Sequence, residues 1–209
     1  MFKKRKNLYQ KKDEKFGLIM SFLYSLLTNT GSYKKFSKFV AKDIIENNPT
    51  ATKILDIGTG PGTIPIEINK ILKNKKNNKV QLYGIDPSIQ MVNIANRKSK
   101  GMENTVFSLG SSTNVPFKMH FDVIFTSLSF HHWAKKEESI VYLKKLLNKS
   151  GKLIIYEYNK DLPGLGKKFV GSHSISKDQL VSIAKQCNMK LTVKTYGDFI
   201  IGTLTISSN

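Results

Sequence analysis

The sequence predicts a doubly wound α/β fold, with a mostly parallel sheet of seven strands in which one C-terminal strand is antiparallel. Three observations lead to this prediction. From Lys53 onward, short apolar runs alternate with stretches whose apolar residues recur at helical spacing. A turn containing three glycines follows the first apolar run. Only Gly197 and Asp198 separate the last two runs, and so short a connection joins antiparallel strands.

The predicted elements follow one another in the order that a doubly wound sheet requires. The predicted strands are 53–57, 80–85, 105–109, 121–127, 152–158, 190–196 and 199–206. The predicted helices are 64–72, one that starts at Pro87, 135–147, and one that is capped by Ser176 and runs to about residue 186. Ligands of such sheets bind at the carboxyl ends of the strands, so the glycine turn is expected to border a ligand crevice.

The first fifty residues precede this alternation. Residues 1–15 are expected to form a basic arm, and residues 16–45 contain two helical patterns separated by Gly31. The first pattern carries Phe22, Leu23, Leu26 and Leu27, and the second carries Phe36, Phe39, Val40 and Ile44. The sequence contains no long linker rich in Pro, Gly or Ser. One domain over 1–209 is therefore predicted, with the arm and cap helices at 1–50 and the cofactor-binding core at 51–209.

The composition is that of a folded globular protein. Hydrophobic residues make up 40% of the 209 residues and aromatic residues 10%. No apolar stretch approaches the ~20 residues that span a bilayer, and no small-residue cleavage site follows the basic start. The single cysteine, Cys187, excludes an internal disulfide and a cysteine-based metal cluster, and no metal site is expected. A cytoplasmic location is expected.

The formal net charge of +19 leaves two interpretations open. Only Arg5 and Arg97 among the 34 basic residues are arginine, the residue whose planar fork reads phosphates and base edges. A drift toward lysine on solvated faces, typical of an AT-rich genome, accounts for the charge without a partner. The alternative is attraction to RNA or to anionic lipid headgroups through the N-terminal arm, whose first fifteen residues carry seven basic and two acidic groups.

The segment ILDIGTGPGT at 54–63 places three glycines at alternate positions, with Asp56 two residues ahead of the first. The dinucleotide fingerprint would need a glycine where Thr63 stands. A carboxylate so near would repel a phosphate, whereas it would attract a ligand that carries an ammonium and a sulfonium. The segment resembles motif I of the class I S-adenosylmethionine-dependent methyltransferases.

Three further motifs extend this resemblance over residues 53–158. Asp86 matches the acidic residue that binds both ribose hydroxyls in this family, a task that suits a carboxylate because it accepts two hydrogen bonds. Residues 121–133 look like motif IV, and residues 146–155 resemble the segment that leads into the fifth strand. The resemblance implies a Rossmann-like fold, S-adenosyl-L-methionine as cofactor, and the cofactor-binding residues Asp56, Gly58, Thr59, Gly60, Gly62, Asp86, Pro87, Met91, Ser111, Ser112, Ser127 and Leu128.

One position departs from the family pattern. The family often has an acidic residue after the third strand, which accepts a hydrogen bond from the adenine amino group. Ser111 or Ser112 stands there instead, and a hydroxyl can accept the same bond. A plain loop with a Ser/Thr turn is the alternative for this segment. Asp122 opens the fourth strand and is expected to face away from the ligand.

Methyl transfer depends mainly on alignment. Holding donor and acceptor in a near-attack geometry is worth ~7–11 kcal/mol, and a general base is needed only when the acceptor must lose a proton. His131 and His132 come after the fourth strand and are the candidate catalytic residues. The alternative is that the His-His-Trp stretch packs against the methionine end of the cofactor and orders the loop.

Aromatic residues are expected on the acceptor side. Tyr156, Glu157 and Tyr158 end the fifth strand, and four residues outside it are candidates to reach the same side, namely Tyr9, Tyr24, Tyr33 and His173. Such a lining suits a flat or apolar acceptor, although each tyrosine can equally be a partly buried residue with a satisfied hydroxyl.

The residues after the fourth strand narrow the choice of acceptor. Ser-Leu-Ser-Phe stands at 127–130, where enzymes that methylate an exocyclic base amine carry Asn-Pro-Pro-Tyr or a similar motif. The overall pattern resembles the broad group that includes quinone-biosynthesis methyltransferases. A small-molecule acceptor is the leading hypothesis. An RNA or ribonucleoprotein methyltransferase that uses the basic surface, and a non-catalytic S-adenosylmethionine-binding protein, are the alternatives.

Overall fold

The computed structural model describes residues 31–161 and 174–207. The predicted basic arm and the first predicted N-terminal helix lie outside these residues, as do Tyr9, Tyr24 and His173. The second predicted N-terminal helix is present as α1 (Gly31–Asn47), which buries Phe36, Val40 and Ile44.

Strands and helices alternate through most of the rest of the described chain, as predicted. They are β1 (Lys53–Ile57), α2 (Thr63–Asn74), β2 (Gln81–Asp86), α3 (Ile89–Lys98), β3 (Thr105–Leu109), β4 (Phe121–Ser127), α4 (Lys136–Lys144), β5 (Leu147–Asn159), β6 (Ser174–Ile175), α5 (Lys177–Gln186), β7 (Met189–Tyr196) and β8 (Phe199–Ile206). Only the pairs β3–β4, β5–β6 and β7–β8 have no described α-helix between them. A single 3-10 turn, Phe130–His132, lies between β4 and α4. None of these described helices combines the length and the apolar character needed to cross a bilayer.

The strands form one sheet in the order β3-β2-β1-β4-β5-β8-β7. Neighbouring strands run parallel except for β8, which is antiparallel to both β5 and β7. The predicted doubly wound, mostly parallel sheet with one antiparallel C-terminal strand is therefore confirmed. The structure adds β6, which pairs with the end of β5. Two residues carry no detectable periodicity, so the sequence pattern could not show this strand.

The predicted boundary between the third core helix and the fifth strand was wrong. The helix ends at Lys144 instead of residue 147, and β5 begins at Leu147 instead of residue 152. Leu147 pairs with Phe121 across the sheet, and the register shifts before Val123 pairs with Lys152. Leu147 suits a helix face and a buried strand equally well, so only its pairing with β4 decides between them.

Two apolar layers sandwich the sheet. Helices α1 and α2 pack on one face, with Ile54 of β1 and Ile154 of β5. Helices α4 and α5 pack on the other face, with Leu55 and Leu153. Because successive residues of a strand point to opposite faces, the central strands are buried on both sides. Since β1, β4 and β5 are adjacent and parallel, their carboxyl ends lie side by side, and the loops after them meet at one edge of the sheet.

Asp122 belongs to the opposite edge, as predicted. Its carboxylate accepts hydrogen bonds from the backbone N–H of Thr52 and Lys53 at 2.8 and 3.0 Å, and from the Asn148 amide. Burial alone would raise the pKa of Asp122, but these hydrogen bonds outweigh burial and lower it. The residue therefore ties the amino ends of β1, β4 and β5 together.

Candidate active site

The turn between β1 and α2 contains three glycines in the left-handed backbone conformation. Gly58, Gly60 and Gly62 have φ angles of +74°, +53° and +73°. A Cβ on Gly58 would lie 2.0 Å from Oγ of Ser129, and a Cβ on Gly62 would lie 2.7 Å from the ring of Phe107. Glycine is needed here both for the backbone conformation and for the close approach of the loop after β4.

Asp86 joins the ends of β1 and β2. Its Oδ2 accepts a hydrogen bond from the N–H of Gly60 at 2.8 Å, and its Oδ1 accepts one from the N–H of Ser88 at 2.9 Å. Burial raises the pKa of Asp86, and the two backbone hydrogen bonds oppose that rise because they favour the charged form. The carboxylate that the resemblance assigns to the ribose therefore also holds the glycine turn in place.

Three buried side-chain oxygens in the described part of the chain have no hydrogen-bond partner. They are Oδ1 of Asp56, Oγ1 of Thr59 and Oγ1 of Thr126. Asp56 and Thr59 lie at the carboxyl end of β1, and Thr126 lies near that of β4. An unpaired buried polar atom costs about 1–3 kcal/mol, so the oxygens of Asp56 and Thr59 mark a place where a polar ligand would bind. Thr126 follows Phe125, which pairs with Asp56, and therefore faces the other side of the sheet.

Asp56 is the most strongly perturbed of these groups. Burial raises its pKa to about 8; the nearby Thr59 hydroxyl opposes this rise, and the like charge of Asp86 adds to it. A cationic group placed beside Asp56 would favour the ionised carboxylate and supply the missing partner. The glycine turn, the unpaired oxygens and Asp86 therefore fit a nucleoside that bears an ammonium and a sulfonium.

Pro87 and Met91 follow Asp86 within five residues of the chain. Pro87 is exposed, and the helix that was predicted to start there begins instead at Ile89, with Ser88 as its N-cap. The hydroxyl of Ser88 accepts a hydrogen bond from the N–H of Met91 at 3.4 Å, and the Met91 side chain is buried. A proline was a reasonable first residue for the helix, but the Ser88 hydroxyl supplies a cap that proline cannot.

Ser111 and Ser112 lie in a short turn after β3. The backbone groups of Ser111 and Asn114 hydrogen-bond to each other at 3.0 Å in both directions. The hydroxyl of Ser112 lies 2.9 Å from that of Ser139 on α4. Ser112 thus links the loop to α4, and its predicted contact with adenine, like that of Ser111, stays a prediction.

The chain turns sharply after β4. Ser127 is buried, and Leu128 has a positive φ of 49°, which is uncommon for a residue other than glycine. The N–H of Leu128 donates to the carbonyl oxygen of Tyr156 at 2.9 Å, which fixes the turn to β5. Ser129 is thereby placed against Gly58, so the loop after β4 closes onto the glycine turn.

His131 is paired with a carboxylate that has no solvent exposure. Its Nδ1 lies 3.1 Å from Oε1 and 3.0 Å from Oε2 of Glu157, and its backbone N–H donates to Oε1 at 3.2 Å. Its Nε2 lies 2.9 Å from Nε2 of His132, which is exposed. A carboxylate on Nδ1 fixes the tautomer that presents Nε2 as a base, as in other carboxylate–histidine pairs.

From the sequence, Glu157 was predicted only to line the acceptor side, and its pairing with His131 was not predicted. A signal was available, because Glu157 is an acidic residue within the apolar run Ile-Ile-Tyr-Glu-Tyr at 154–158. A carboxylate buried in a central strand needs a charged or hydrogen-bonding partner. Which residue supplies that partner depends on the path of the loop after β4.

Phe130 and Trp133 anchor this loop in the apolar core. Both side chains are buried, and their rings lie 4.9 Å apart at a steep angle. The Lys136 ammonium donates to the carbonyl oxygens of Trp133 and His131 at 2.8 and 3.3 Å. The apolar residues thus supply the ordering role considered for the whole stretch, and the His131 ring is left to contact Glu157.

The prediction that Tyr156 lines the acceptor side was wrong. Its side chain is fully buried beneath α1, and its hydroxyl donates to Oδ2 of Asp43 at 2.7 Å. Burial, together with the Asp43 carboxylate, raises the pKa of Tyr156 well above its usual range. Tyr156 is therefore covered by α1 and does not reach the crevice at the carboxyl edge of the sheet.

Tyr158, the next residue on the same face as Tyr156, belongs to a row of aromatic rings at the carboxyl end of β5. The Tyr158 and Phe199 rings stack at 4.8 Å, and Phe36 of α1 stacks on Phe199 at 4.1 Å. The Tyr33 ring lies next in the row, 6.4 Å from Phe36. Tyr33 and Tyr158, both predicted near the acceptor, are therefore brought together with two phenylalanines.

A cavity of about 410 Å³ borders His131 on the side of α4 and α5. Its apolar wall includes Phe130, Ile175 and Ile183, and its polar wall includes Lys136, Gln179 and Ser182. A volume of this order suits a small molecule. The cavity and the row of aromatic rings lie on opposite faces of the sheet.

The fold and this site define a class of protein, which comparisons with known sequences establish independently. The sequence profile of a family described as "Methyltransferase domain" matches residues 49–198. The chain belongs to this family. With the arrangement at β1, β2 and β4, it is a class I S-adenosylmethionine-dependent methyltransferase, and S-adenosylmethionine is its cofactor.

A curated relative is the ubiquinone/menaquinone biosynthesis C-methyltransferase UbiE of Wigglesworthia glossinidia brevipalpis. It is 26% identical over 178 residues, which cover 79% of this chain and 69% of the relative. The chain spans only 43–45% of the length of several further curated relatives.

Solved structures show the same fold. An S-adenosylmethionine-dependent methyltransferase of Methanococcus maripaludis, described as putative in its published name, superposes with a TM-score of 0.72 at 16% identity, over 93% of this chain and 94% of that one. One from Aquifex aeolicus has a TM-score of 0.65 at 20% identity, over 78% of this chain and 87% of that one. These likenesses support the Rossmann-like architecture.

Proposed function

We propose that this chain transfers a methyl group from S-adenosylmethionine to a ring-bearing small molecule, with His131 taking the proton that the acceptor loses. The observation that carries the proposal is the contact of His131 with the buried Glu157, next to the glycine turn. The curated relative is named as a ubiquinone/menaquinone biosynthesis C-methyltransferase, and such an acceptor is a planar ring.

The residues around the turn divide the binding of the cofactor between them. Asp86 would accept hydrogen bonds from ribose hydroxyls, and Asp56 would face the ammonium group, since its Oδ1 is buried without a partner in the described residues. The predicted contacts of Ser111, Ser112, Ser127, Leu128, Pro87 and Met91 complete this set. When bound, S-adenosylmethionine supplies a methyl group activated by its sulfonium, and an acceptor atom in line with it would bond to the methyl carbon as the carbon–sulfur bond breaks and S-adenosylhomocysteine leaves.

His131 would remove the acceptor proton as the nucleophile forms. Glu157 holds Nδ1 and stabilises the imidazolium that results, and because it is buried, this charge interaction is poorly screened. The proton on Nε2 can then leave through His132, which lies 2.9 Å away and is exposed. The acceptor ring would lie across the carboxyl edge of the sheet. It would stack on the row formed by Tyr158, Phe199, Phe36 and Tyr33 on one face, while its reacting atom reaches His131 on the other.

The experiment is turnover of S-adenosylmethionine to S-adenosylhomocysteine with hydroxylated aromatic rings, aliphatic acceptors and RNA as methyl acceptors. Methylation of the aromatic rings supports the proposal. Methylation of RNA in place of the aromatic rings overturns it. Cofactor binding without turnover, even with a whole-cell extract as the source of acceptors, would show that the protein binds S-adenosylmethionine but is not an enzyme.

Two substitutions decide which face of the sheet holds the ring. Tyr158→Leu removes one ring from the aromatic row and should raise KM for the acceptor. Ser182→Trp fills the cavity between α4 and α5 and should leave KM unchanged. The opposite result would move the acceptor to the cavity.

A further inference from the structure

The described part of the chain carries a basic face that the proposed reaction does not use. Strand β7 exposes Lys190, Thr192, Lys194 and Tyr196, while Leu191 and Val193 pack against the core under α5. Residues two apart on a strand share a face, so the four exposed residues lie on the side of the sheet that α1 covers in part.

Helix α1 borders this exposed strand. The ring of Phe39 stacks on that of Tyr196 with centroids 3.5 Å apart. Lys35 and Lys42 lie four residues before and three residues after Phe39, on the same stripe of the helix, and Lys38 adjoins them. All three lysines are exposed. We call Lys35, Lys38, Lys42, Lys190 and Lys194 the basic face.

Little negative charge offsets the basic face. Glu46 lies 3.8 Å from Lys42, but both side chains are more than half exposed, at 53% and 67%, so their pairing is weak. The neighbouring positions on β8 are Thr203 and Thr205, which pair with Thr192 and Lys190. The face is therefore cationic and bordered by threonine hydroxyls, with one half-exposed tyrosine, Tyr196, at its rim.

The cross-strand register connects this face with the proposed acceptor site. Tyr158 of β5, Phe199 of β8 and Tyr196 of β7 lie in one row across the sheet. The basic face begins at Lys194, two residues before Tyr196 on β7. Helix α1 contributes rings to the aromatic row and lysines to the basic face. A surface that binds the basic face would thus lie beside the proposed entrance for the acceptor.

We propose that the basic face docks on an anionic lipid bilayer, from which the site takes a membrane-partitioned acceptor. Lysines are point charges, which suit a diffuse layer of headgroups, whereas nucleic acid is more often read by arginine, and only 2 of the 34 basic residues are arginine. Tyr196 suits the interfacial region of a bilayer, because a tyrosine has an apolar ring and a polar tip. The acceptor part of this proposal rests on the proposed function, but binding to the bilayer does not.

The test is sedimentation of the full chain with vesicles of phosphatidylcholine alone and of phosphatidylcholine with phosphatidylglycerol. The variant carries Lys35→Gln, Lys38→Gln, Lys42→Gln, Lys190→Gln and Lys194→Gln. The matched control removes the same charge from exposed lysines at the other half of the sheet, with Lys73→Gln, Lys75→Gln, Lys79→Gln, Lys100→Gln and Lys118→Gln. Both variants should bind S-adenosylmethionine as the unaltered chain does, which shows that they fold.

The unaltered chain and the control should bind the anionic vesicles, and the basic-face variant should bind them roughly tenfold more weakly or worse. Equal loss in both variants would overturn the proposal, because net charge and not this face would then be responsible. Binding of a single-stranded RNA by the unaltered chain in preference to anionic vesicles would also overturn it. A third outcome separates the two proposals. If the basic-face variant loses vesicle binding but the unaltered chain methylates no aromatic ring, only the proposed function is refuted.

Discussion

Nδ1 of His131 lies 3.0 Å from Oε2 of Glu157, and the Glu157 side chain is fully buried. The two residues come from different segments, the loop after β4 and the end of β5, and neighbouring parallel strands bring them together. A buried carboxylate is retained at a cost in desolvation, and here its partner is the group that the proposed reaction needs as a base.

Replacing Glu157 should reduce turnover and leave binding of the cofactor intact. Glu157→Gln keeps the shape of the side chain but removes its charge, so kcat should fall about 100-fold with an acceptor that must lose a proton. Steady-state kinetics and calorimetry with S-adenosylmethionine measure the two effects. Glu138→Gln, which removes an exposed carboxylate paired with Lys135, is the matched control and should change neither quantity. An unchanged kcat in Glu157→Gln would show that His131 only orders the loop.

Asp86→Ala should weaken binding of S-adenosylmethionine at least roughly tenfold, because the ribose loses its acceptor and Gly60 loses its hydrogen bond. Calorimetry measures this affinity. Asp122→Asn is the comparison, since that carboxylate lies at the opposite edge of the sheet and should affect stability without changing the affinity. Equal affinities of the Asp86→Ala variant and the unaltered chain would contradict the assignment.

Gly58 should tolerate no side chain. Gly58→Ala and Gly197→Ala both place a Cβ on a residue with positive φ, at +74° and +51°, which costs about 1–2 kcal/mol in each. Only at Gly58 does the Cβ also meet Oγ of Ser129, whereas nothing lies within 4 Å at Gly197. Urea denaturation should show a larger loss for Gly58→Ala, with loss of cofactor binding. Adding Ser129→Gly should recover part of both, and a failure to do so would mean that strain in the backbone is the whole effect.

The stability of the protein without cofactor should depend on pH through Asp56. The pKa of Asp56 is raised from 3.8 to about 8, so between these values the folded chain keeps a proton that the unfolded chain releases. The free energy of unfolding should therefore fall as pH rises through this interval, by at most about 1.4 kcal/mol per pH unit. Asp56→Asn cannot ionise, so its advantage over the unaltered chain should grow from pH 5 to pH 8 in urea denaturation. A constant difference between the two proteins would show that Asp56 is ionised throughout.

Tyr156→Phe should affect stability and not activity. The substitution removes the hydroxyl that donates to Asp43 and keeps the buried ring, so the free energy of unfolding should fall by about 1–2 kcal/mol. KM for the acceptor should not change, because Tyr156 lies under α1. Tyr158→Phe serves as the comparison on the same face of β5. A raised KM in Tyr156→Phe would return this residue to the acceptor side.

Much of the site was predictable because its residues are consecutive or lie at fixed spacing. The run of residues 54–63 determines a strand, a glycine turn and the start of a helix by local rules, and Asp86 lies where the next parallel strand must end. The antiparallel end of the sheet is explained by the two residues between β7 and β8. None of these predictions requires knowledge of a distant contact.

Only the tertiary structure decided the contacts between segments. It paired His131 with Glu157, placed Tyr156 under α1 and Tyr158 in the aromatic row, and extended β5 back to Leu147. In each case the residue type suits two environments, and the packing of another strand or helix selects one. The sequence by itself determined the methyl donor, because the binding of the donor depends on local backbone geometry. The arrangement around the acceptor was decided by which side chains the folded strands and helices bring together.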